Sequence, residues 1–132
     1  MPQPDALNHL LGQAGEQPRT PERWQRVLAC SLWHLRIHRA DGKLVGFVRA
    51  TSDRALNANL WDLWADDRDP AQGQLMLALV QAALGRLRRE LPGCSISLSA
   101  PPAAQDALEH CGFVIDPGGI RAMGIRLQAS GS

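Results

Sequence analysis

The sequence predicts one α/β domain of 132 residues, with a mixed, mostly antiparallel central sheet flanked by helices. Three observations predict this class. Residues 32–66 read as antiparallel strands, residues 71–91 as one central helix, and residues 94–128 as strand, helix, strand and strand. Two short helices within residues 5–31 precede the sheet. Because no linker is long enough to divide the chain, we predict a single domain over residues 1–132.

The two N-terminal helices are indicated by their starts and their apolar spacing. Residues 5–14 place leucines on one face, with Asp5 as the expected N-cap. The second helix is expected to begin after Thr20 as N-cap, with Pro21 at its first position and Trp24 on its inner face. Both helices are therefore predicted to bury one face against the sheet.

The sheet begins with segments that alternate between apolar and polar residues. The first strand, residues 32–39, and the second, residues 44–51, are joined by Asp41-Gly42, a strong hairpin signal. The third strand, residues 59–65, completes an antiparallel meander.

The central helix, residues 71–91, has apolar residues at three- and four-residue steps, with Pro70 as its start signal and Pro92-Gly93 as its stop. The first N–H groups of a helix lack partners, and the helix dipole is positive there, so anions and phosphates bind at this position.

The C-terminal part is predicted to complete the sheet. A strand over residues 94–100 precedes a helix over residues 103–110. Two closing strands, residues 113–115 and 123–127, are expected around a turn at residues 116–119.

Composition excludes several classes of function. A formal net charge of +1 gives no reason to expect nucleic acid or an acidic membrane as a partner. Three cysteines without a CxxC pair indicate a reducing, cytoplasmic compartment, and no apolar run approaches the roughly 20 residues of a membrane span. His34 and His38 share one strand face but lie about 13 Å apart along it, so no metal site is expected.

Four short segments carry a resemblance to a known family: LVGFVRATSD at residues 44–53, LNANLWDL at residues 56–63, Gly112-Phe113, and Asp116-Pro117-x-Gly119-Ile120-x-x-Met123. In this order and spacing they resemble the GNAT family of acyl-CoA N-acetyltransferases, in particular its small cyanobacterial and plastid members. The resemblance covers nearly the whole chain. It implies the GNAT fold, acetyl-CoA as the acetyl donor, and a primary amine as the acceptor.

The resemblance also implies where the donor lies, in a gap between two central strands that splay apart. The implied cofactor-binding residues are the strand residues Leu63, Trp64 and Ala65 and the helix-start residues Gln72, Gly73 and Gln74. Asp62, flanked by Trp61 and Trp64, is the predicted catalytic residue, which would deprotonate or orient the amine. The alternatives are a salt-bridged or solvent-facing Asp62 and an ordinary first helical turn.

The sequence departs from the family pattern at two chemical positions. Gln74 and Met76 stand where the family has phosphate-loop glycines, and larger side chains are expected to crowd a pyrophosphate there. The chain has no tyrosine, and Leu108 stands where the family often has a tyrosine that protonates the leaving thiolate. Without such a general acid the reaction is expected to be about 10²–10⁴-fold slower. The alternative function is therefore an inactive GNAT-like domain that serves as a protein-binding or assembly module. The acceptor, a homodimer and a protein partner all stay open.

Overall fold

The computed structural model describes residues 2–129, and residues 1 and 130–132 of the predicted domain lie outside the described residues. The helices and strands follow in the order α1 (Pro4–Gln13), α2 (Pro21–Cys30), β1 (Trp33–His38), β2 (Leu44–Ser52), β3 (Asn57–Ala65), α3 (Gln72–Glu90), β4 (Ser95–Ser97) and α4 (Gln105–His110). Short 3-10 turns lie at Pro102–Ala104 and Pro117–Gly119.

The four strands form one sheet in the order β1-β2-β3-β4. The pairs β1–β2 and β2–β3 are antiparallel, and β3 pairs with β4 in parallel after the crossover through α3. The predicted fold class is therefore confirmed as an α/β fold with a mixed, mostly antiparallel sheet flanked by helices.

Apolar layers cover both faces of the sheet. α3 and α4 cover one face, where Leu79 and Val80 are 2% and 0% exposed. α1 and α2 cover the other face around Trp24, Phe47 and Trp64. Phe47 stacks on Trp64 with 6.1 Å between ring centroids, and Trp24 meets both rings edge-on. Helices therefore pack on both faces of the sheet.

The helix starts agree only in part with the sequence. Thr20 caps α2 as predicted, because its hydroxyl oxygen accepts the N–H of Arg23 at 3.1 Å. α1 begins one residue earlier than predicted, at Pro4, so Asp5 lies in the first turn instead of capping it. α3 begins at Gln72, after the predicted start.

The two closing strands predicted at residues 113–115 and 123–127 are wrong, since both segments form irregular backbone. In and between these segments, the apolar side chains that are 68–95% exposed are those of Val114, Ile115, Ile120, Met123, Ile125 and Leu127. A strand needs a partner for its N–H and C=O groups, and β4 offers only the three residues Ser95–Ser97 of the longer strand that was predicted. Alternation of apolar residues therefore did not suffice to form a strand.

Candidate active site

The sheet opens between β3 and β4. The parallel ladder joins Asn57 to Ser95 and ends at the pair Asn59–Ser97, whereas β3 continues to Ala65. Beyond this pair, no strand within residues 2–129 pairs with the backbone of β3 on the β4 side. The result is a split between β3 and the edge strand β4, whereas the family resemblance implies a split between two central strands.

β3 also bulges beside the split. The register between β2 and β3 shifts between Phe47 and Arg49, so that Asp62 and Leu63 together oppose one residue of β2. Asp62 has a φ of 55°, in the left-handed region that few residues other than glycine adopt. The bulge disrupts the ladder at the point where β3 faces the split.

The predicted strand contacts are available only through their backbone. The side chains of Leu63, Trp64 and Ala65 are buried, at 3%, 8% and 5% exposed. The carbonyl oxygen of Ala65 already accepts the side-chain amide of Gln72 at 3.1 Å. Gln72 therefore ties the end of β3 to the start of α3, and its side chain has a structural partner.

The start of α3 presents free donors to open space. The N–H groups of Gly73 and Gln74 have no acceptor among residues 2–129, and the N-cap residue Ala71 supplies no side-chain bond. A Cβ atom added at Gly73 would meet no atom within 4 Å. Two unpaired N–H groups at a helix N-terminus form the arrangement that binds phosphate.

A cavity of about 260 Å³ runs between this helix start and α4, lined by Gly73, Met76, Leu77, Ala103, Asp106, Ala107 and His110. Met76 is only 1% exposed, so its side chain lies in the wall and leaves the space over the Gly73 backbone open. Leu108, at the position of the family's tyrosine, is a core residue at 3% exposed.

A second cavity of about 430 Å³ follows the edge of β4. Asn59 and Trp61 of β3 line one side, and residues 113–117 line another. Trp61 is 41% exposed, and its indole N–H donates to the Thr51 hydroxyl at 2.7 Å, so the ring presents mainly apolar surface to the cavity. This volume lies within the usual range of small-molecule sites.

Asp62 lies between two arginines at the bulge. Arg19 donates two hydrogen bonds to its carboxylate at 2.9 and 3.0 Å, and Arg49 donates a third at 2.7 Å. Burial alone would raise the pKa of Asp62, but the bonds and charges of Arg19 and Arg49 outweigh it and hold the pKa below its usual value. The carboxylate is therefore ionised at neutral pH, which makes it a weak proton acceptor.

Arg19 and Arg49 were missed by the sequence reasoning. Arg19 lies in a polar segment between α1 and α2 that carries no periodic pattern. Arg49 gave a signal that could have been used, because it stands between the apolar residues Val48 and Ala50 of β2. A charged residue in such a strand indicates a buried partner.

No metal or membrane element was found in the described part of the chain. Within residues 2–129, no three His, Cys, Asp or Glu side chains come together as a possible metal site. His34 instead stacks on Phe47, with ring centroids 5.7 Å apart, and burial followed by the charge of Arg36 lowers its pKa. Over the same residues, the helices are too short or too polar to cross a bilayer.

Comparison with known proteins relates the sequence to plant acetyltransferases. The chain is 42% identical over 83 residues to GCN5-related N-acetyltransferase 2, a chloroplast protein of Arabidopsis thaliana, a match that covers 63% of this chain and 31% of the relative. It is 33% identical over 124 residues to serotonin N-acetyltransferase 2, a chloroplast protein of rice, covering 89% of this chain and 60% of the relative. The chain thus spans less than two thirds of either relative. No protein-family model matches it.

Comparison with solved structures identifies the fold. A protein of unknown function from Staphylococcus aureus, named a probable acetyltransferase, superposes with a TM-score of 0.79 at 19% identity, covering 96% of this chain and 94% of that protein. At this identity the likeness concerns the fold alone. The chain is therefore similar in sequence to plant N-acetyltransferases, and its fold is that of the GNAT acetyltransferases.

Proposed function

We propose that this chain is an acetyl-CoA-dependent N-acetyltransferase that transfers the acetyl group to a primary amine. One observation carries the proposal: the split between β3 and β4 lies beside a helix start whose Gly73 and Gln74 N–H groups are free. The split accommodates an extended thioester arm, and the free N–H groups accommodate its pyrophosphate. The arm and the pyrophosphate are adjacent parts of one acetyl-CoA molecule.

Acetyl-CoA is the acetyl-donating substrate in this proposal. Its pyrophosphate is proposed to lie over Gly73, and the cavity between α3 and α4 to take the rest of the nucleotide end. The backbone of Leu63, Trp64 and Ala65 is proposed to contact the thioester and its pantetheine arm. Gln74 is exposed, so its side chain is free to turn away from the phosphate, and its N–H stays available.

The proposed reaction is a direct transfer. The amine nitrogen attacks the thioester carbonyl, a C–N bond forms, and the C–S bond breaks. Water takes the amine proton, because the carboxylate of Asp62 is held by Arg19 and Arg49. The departing thiolate takes a proton from solvent, since the chain contains no tyrosine and a thiol of pKa near 8.5 is a tolerable leaving group. Of the two predicted roles of Asp62, we therefore favour orientation over proton abstraction.

The amine is proposed to enter through the cavity along β4. This cavity includes Trp61 and Asn59 of β3, beside the point where the split begins. Its volume of about 430 Å³ is large enough to hold a small amine. The name of the rice relative refers to serotonin, a small amine.

We also propose the cytoplasmic location that the sequence predicts. The described cysteines form no disulfide, which agrees with a reducing compartment.

A second candidate is an inactive binding module, which the C-terminal segment favours. Met123, Ile125 and Leu127 are 95%, 89% and 85% exposed outside the split. Exposed apolar side chains in a row are typical of surfaces that meet another protein. In this function the segment would bind a second copy or a protein partner, and acetyl-CoA would not bind.

Isothermal titration with acetyl-CoA and CoA separates the two functions. Micromolar affinity for both would support the transferase, and a screen of serotonin against a lysine-containing peptide would then identify the class of acceptor. No heat and no thermal shift at millimolar acetyl-CoA would refute the transferase and leave the binding module.

A further inference from the structure

The sheet face under α1 and α2 contains an ionic cluster of Arg19, Asp62 and Arg49. The three side chains are 22%, 10% and 15% exposed. Arg19 grips the carboxylate with two parallel bonds, and Arg49 adds one through its Nε atom. Hydrogen bonds between a guanidinium and a carboxylate are stronger than those between neutral groups, and the paired bonds of Arg19 also fix the geometry.

Arg19 is itself held in place from three directions. The side chain of Asn8 accepts the backbone N–H of Arg19 and donates to its carbonyl oxygen, both at 2.9 Å. The guanidinium lies 4.6 Å from the centroid of the Trp24 ring and 5.8 Å from that of Trp64. The indole N–H of Trp24 also donates to Asn8 at 2.9 Å. Arg19 is therefore a fixed element, not a mobile surface side chain.

Arg49 links the cluster to the cavity along β4. Its guanidinium lies 5.8 Å from the centroid of the Trp61 ring, which lines that cavity. Its Nη1 atom is 3.5 Å from the hydroxyl oxygen of Ser31, next to the end of α2. A displacement of Arg49 would thus change its contact with Asp62 and its contact with Trp61 in the wall of the cavity.

The backbone at the centre of the cluster is strained. Asp62 combines a φ of 55° with a bulge position in the middle of β3. A non-glycine residue keeps such a conformation only where its surroundings determine it. The side-chain hydrogen bonds of Asp62 within residues 2–129 come from the two arginines.

We propose that Arg19 and Arg49 clamp Asp62 to hold the bulge of β3, which makes both arginines positioning residues for acetyl transfer. The proposal rests on the proposed function for its kinetic part only. When the clamp is intact, the bulge fixes the backbone beside the split and the wall formed by Trp61. When it is broken, β3 relaxes toward regular pairing and the amine loses its alignment with the thioester.

The experiment compares Arg19→Lys, Arg49→Lys and Asp62→Asn with the parent chain, and uses Arg126→Gln as the control. Arg126 belongs to an exposed pair with Glu16, at 79% and 46% exposed, and within residues 2–129 it forms no ion pair with Asp62. For each variant that melts cooperatively, amide exchange at residues 61–64 is measured by NMR, together with the affinity for CoA, kcat, the KM of the amine, and the pH–rate profile.

The clamp predicts an asymmetric result. Arg19→Lys loses the two-pronged grip, which lysine cannot reproduce, so kcat falls about tenfold or more and amide exchange at residues 61–64 accelerates. Arg49→Lys keeps one charged contact and stays closer to the parent. The affinity for CoA changes by less than about threefold, because the phosphate contacts lie at the start of α3. Asp62→Asn lowers the pH–rate plateau without removing a limb, as expected of a group that carries no proton in the reaction.

Three results would overturn the clamp. The first is unchanged exchange at residues 61–64 in Arg19→Lys. The second is a loss of the pH–rate limb in Asp62→Asn, which would make Asp62 the base. The third is an Arg19→Lys variant in which CoA affinity falls as many-fold as kcat and the melting temperature also falls, since this would indicate a general loss of structure. If the parent chain binds no acetyl-CoA, the proposed function fails, whereas amide exchange still decides the clamp. Should Asp62→Asn fail to fold, the two lysine variants decide it.

Discussion

Replacing Gly73 with alanine is expected to change stability and cofactor binding in opposite directions. Gly73 is the second residue of α3, and an added Cβ would meet no protein atom within 4 Å. Alanine restricts the unfolded chain and favours the helix, so the free energy of unfolding should rise by about 0.5–1 kcal/mol. For a chain of this size, that gain raises the melting temperature by about 2–4 °C. The same methyl group would stand over the N–H groups proposed for the pyrophosphate.

The matched control is Gly85→Ala, in the middle of the same helix. Its Cβ would lie 3.5 Å from the Arg89 side chain, an ordinary contact away from the helix start. Thermal unfolding should show a similar stabilisation for both variants. Isothermal titration should show CoA affinity reduced by about tenfold or more in Gly73→Ala and unchanged in Gly85→Ala, because only the former blocks backbone approach to phosphate. Equal CoA affinity in the two variants would mean that the pyrophosphate does not bind at this helix start.

Three further predictions concern β2, β3 and the turn after β3. Gly46→Ala would place a Cβ 3.1 Å from the Leu79 side chain in the core, and urea unfolding should show a loss of about 1–3 kcal/mol. Burial opposes ionisation of Asp66, but bonds from the Arg68 N–H, Gln13 and Lys43 lower its pKa to about 2. Because this folded-state pKa lies below the unfolded value, the stabilisation is present above about pH 4 and is lost toward pH 2. The parent chain should therefore lose up to about 2 kcal/mol more than Asp66→Asn between pH 6 and pH 2 in thermal unfolding. Trp61→Ala removes a 41% exposed ring and one hydrogen bond, so it should cost about 1 kcal/mol in stability. In kinetic assays the same variant should raise the KM of the amine and leave CoA affinity unchanged. An unchanged KM would mean that the cavity along β4 does not bind the acceptor.

The sequence predicted the elements whose cause is local. Thr20 and the Asp41-Gly42 turn act within a few residues, and α2 and the β1–β2 hairpin follow from them. The closing strands depended on a distant partner, and the short β4 did not provide it. The spacing of apolar residues indicates which side chains are buried. It does not indicate which strand edge is available for pairing.

The candidate site shows the same division. Gly73 and Gln74 stand at the predicted helix start, because a helix always leaves its first N–H groups unpaired. The position of Arg49 in β2 indicated a buried partner but not that this partner is Asp62, 13 positions away, and nothing in the sequence indicated Arg19, 43 positions away. Only the fold brings β2, β3 and the segment between α1 and α2 together. The role assigned to Asp62 stays a prediction until the variants are measured.

The short ladder between β3 and β4 also affects the order in which the chain folds. β1, β2 and β3 are joined by tight turns, so their pairing closes short loops and forms early. β4 can pair with β3 only after the whole of α3 has crossed the sheet, and it then gains three residues of ladder. The split is thus the last joint of the sheet to assemble. Cofactor binding would therefore report completed folding, whereas far-UV circular dichroism would already register the meander and the central helix.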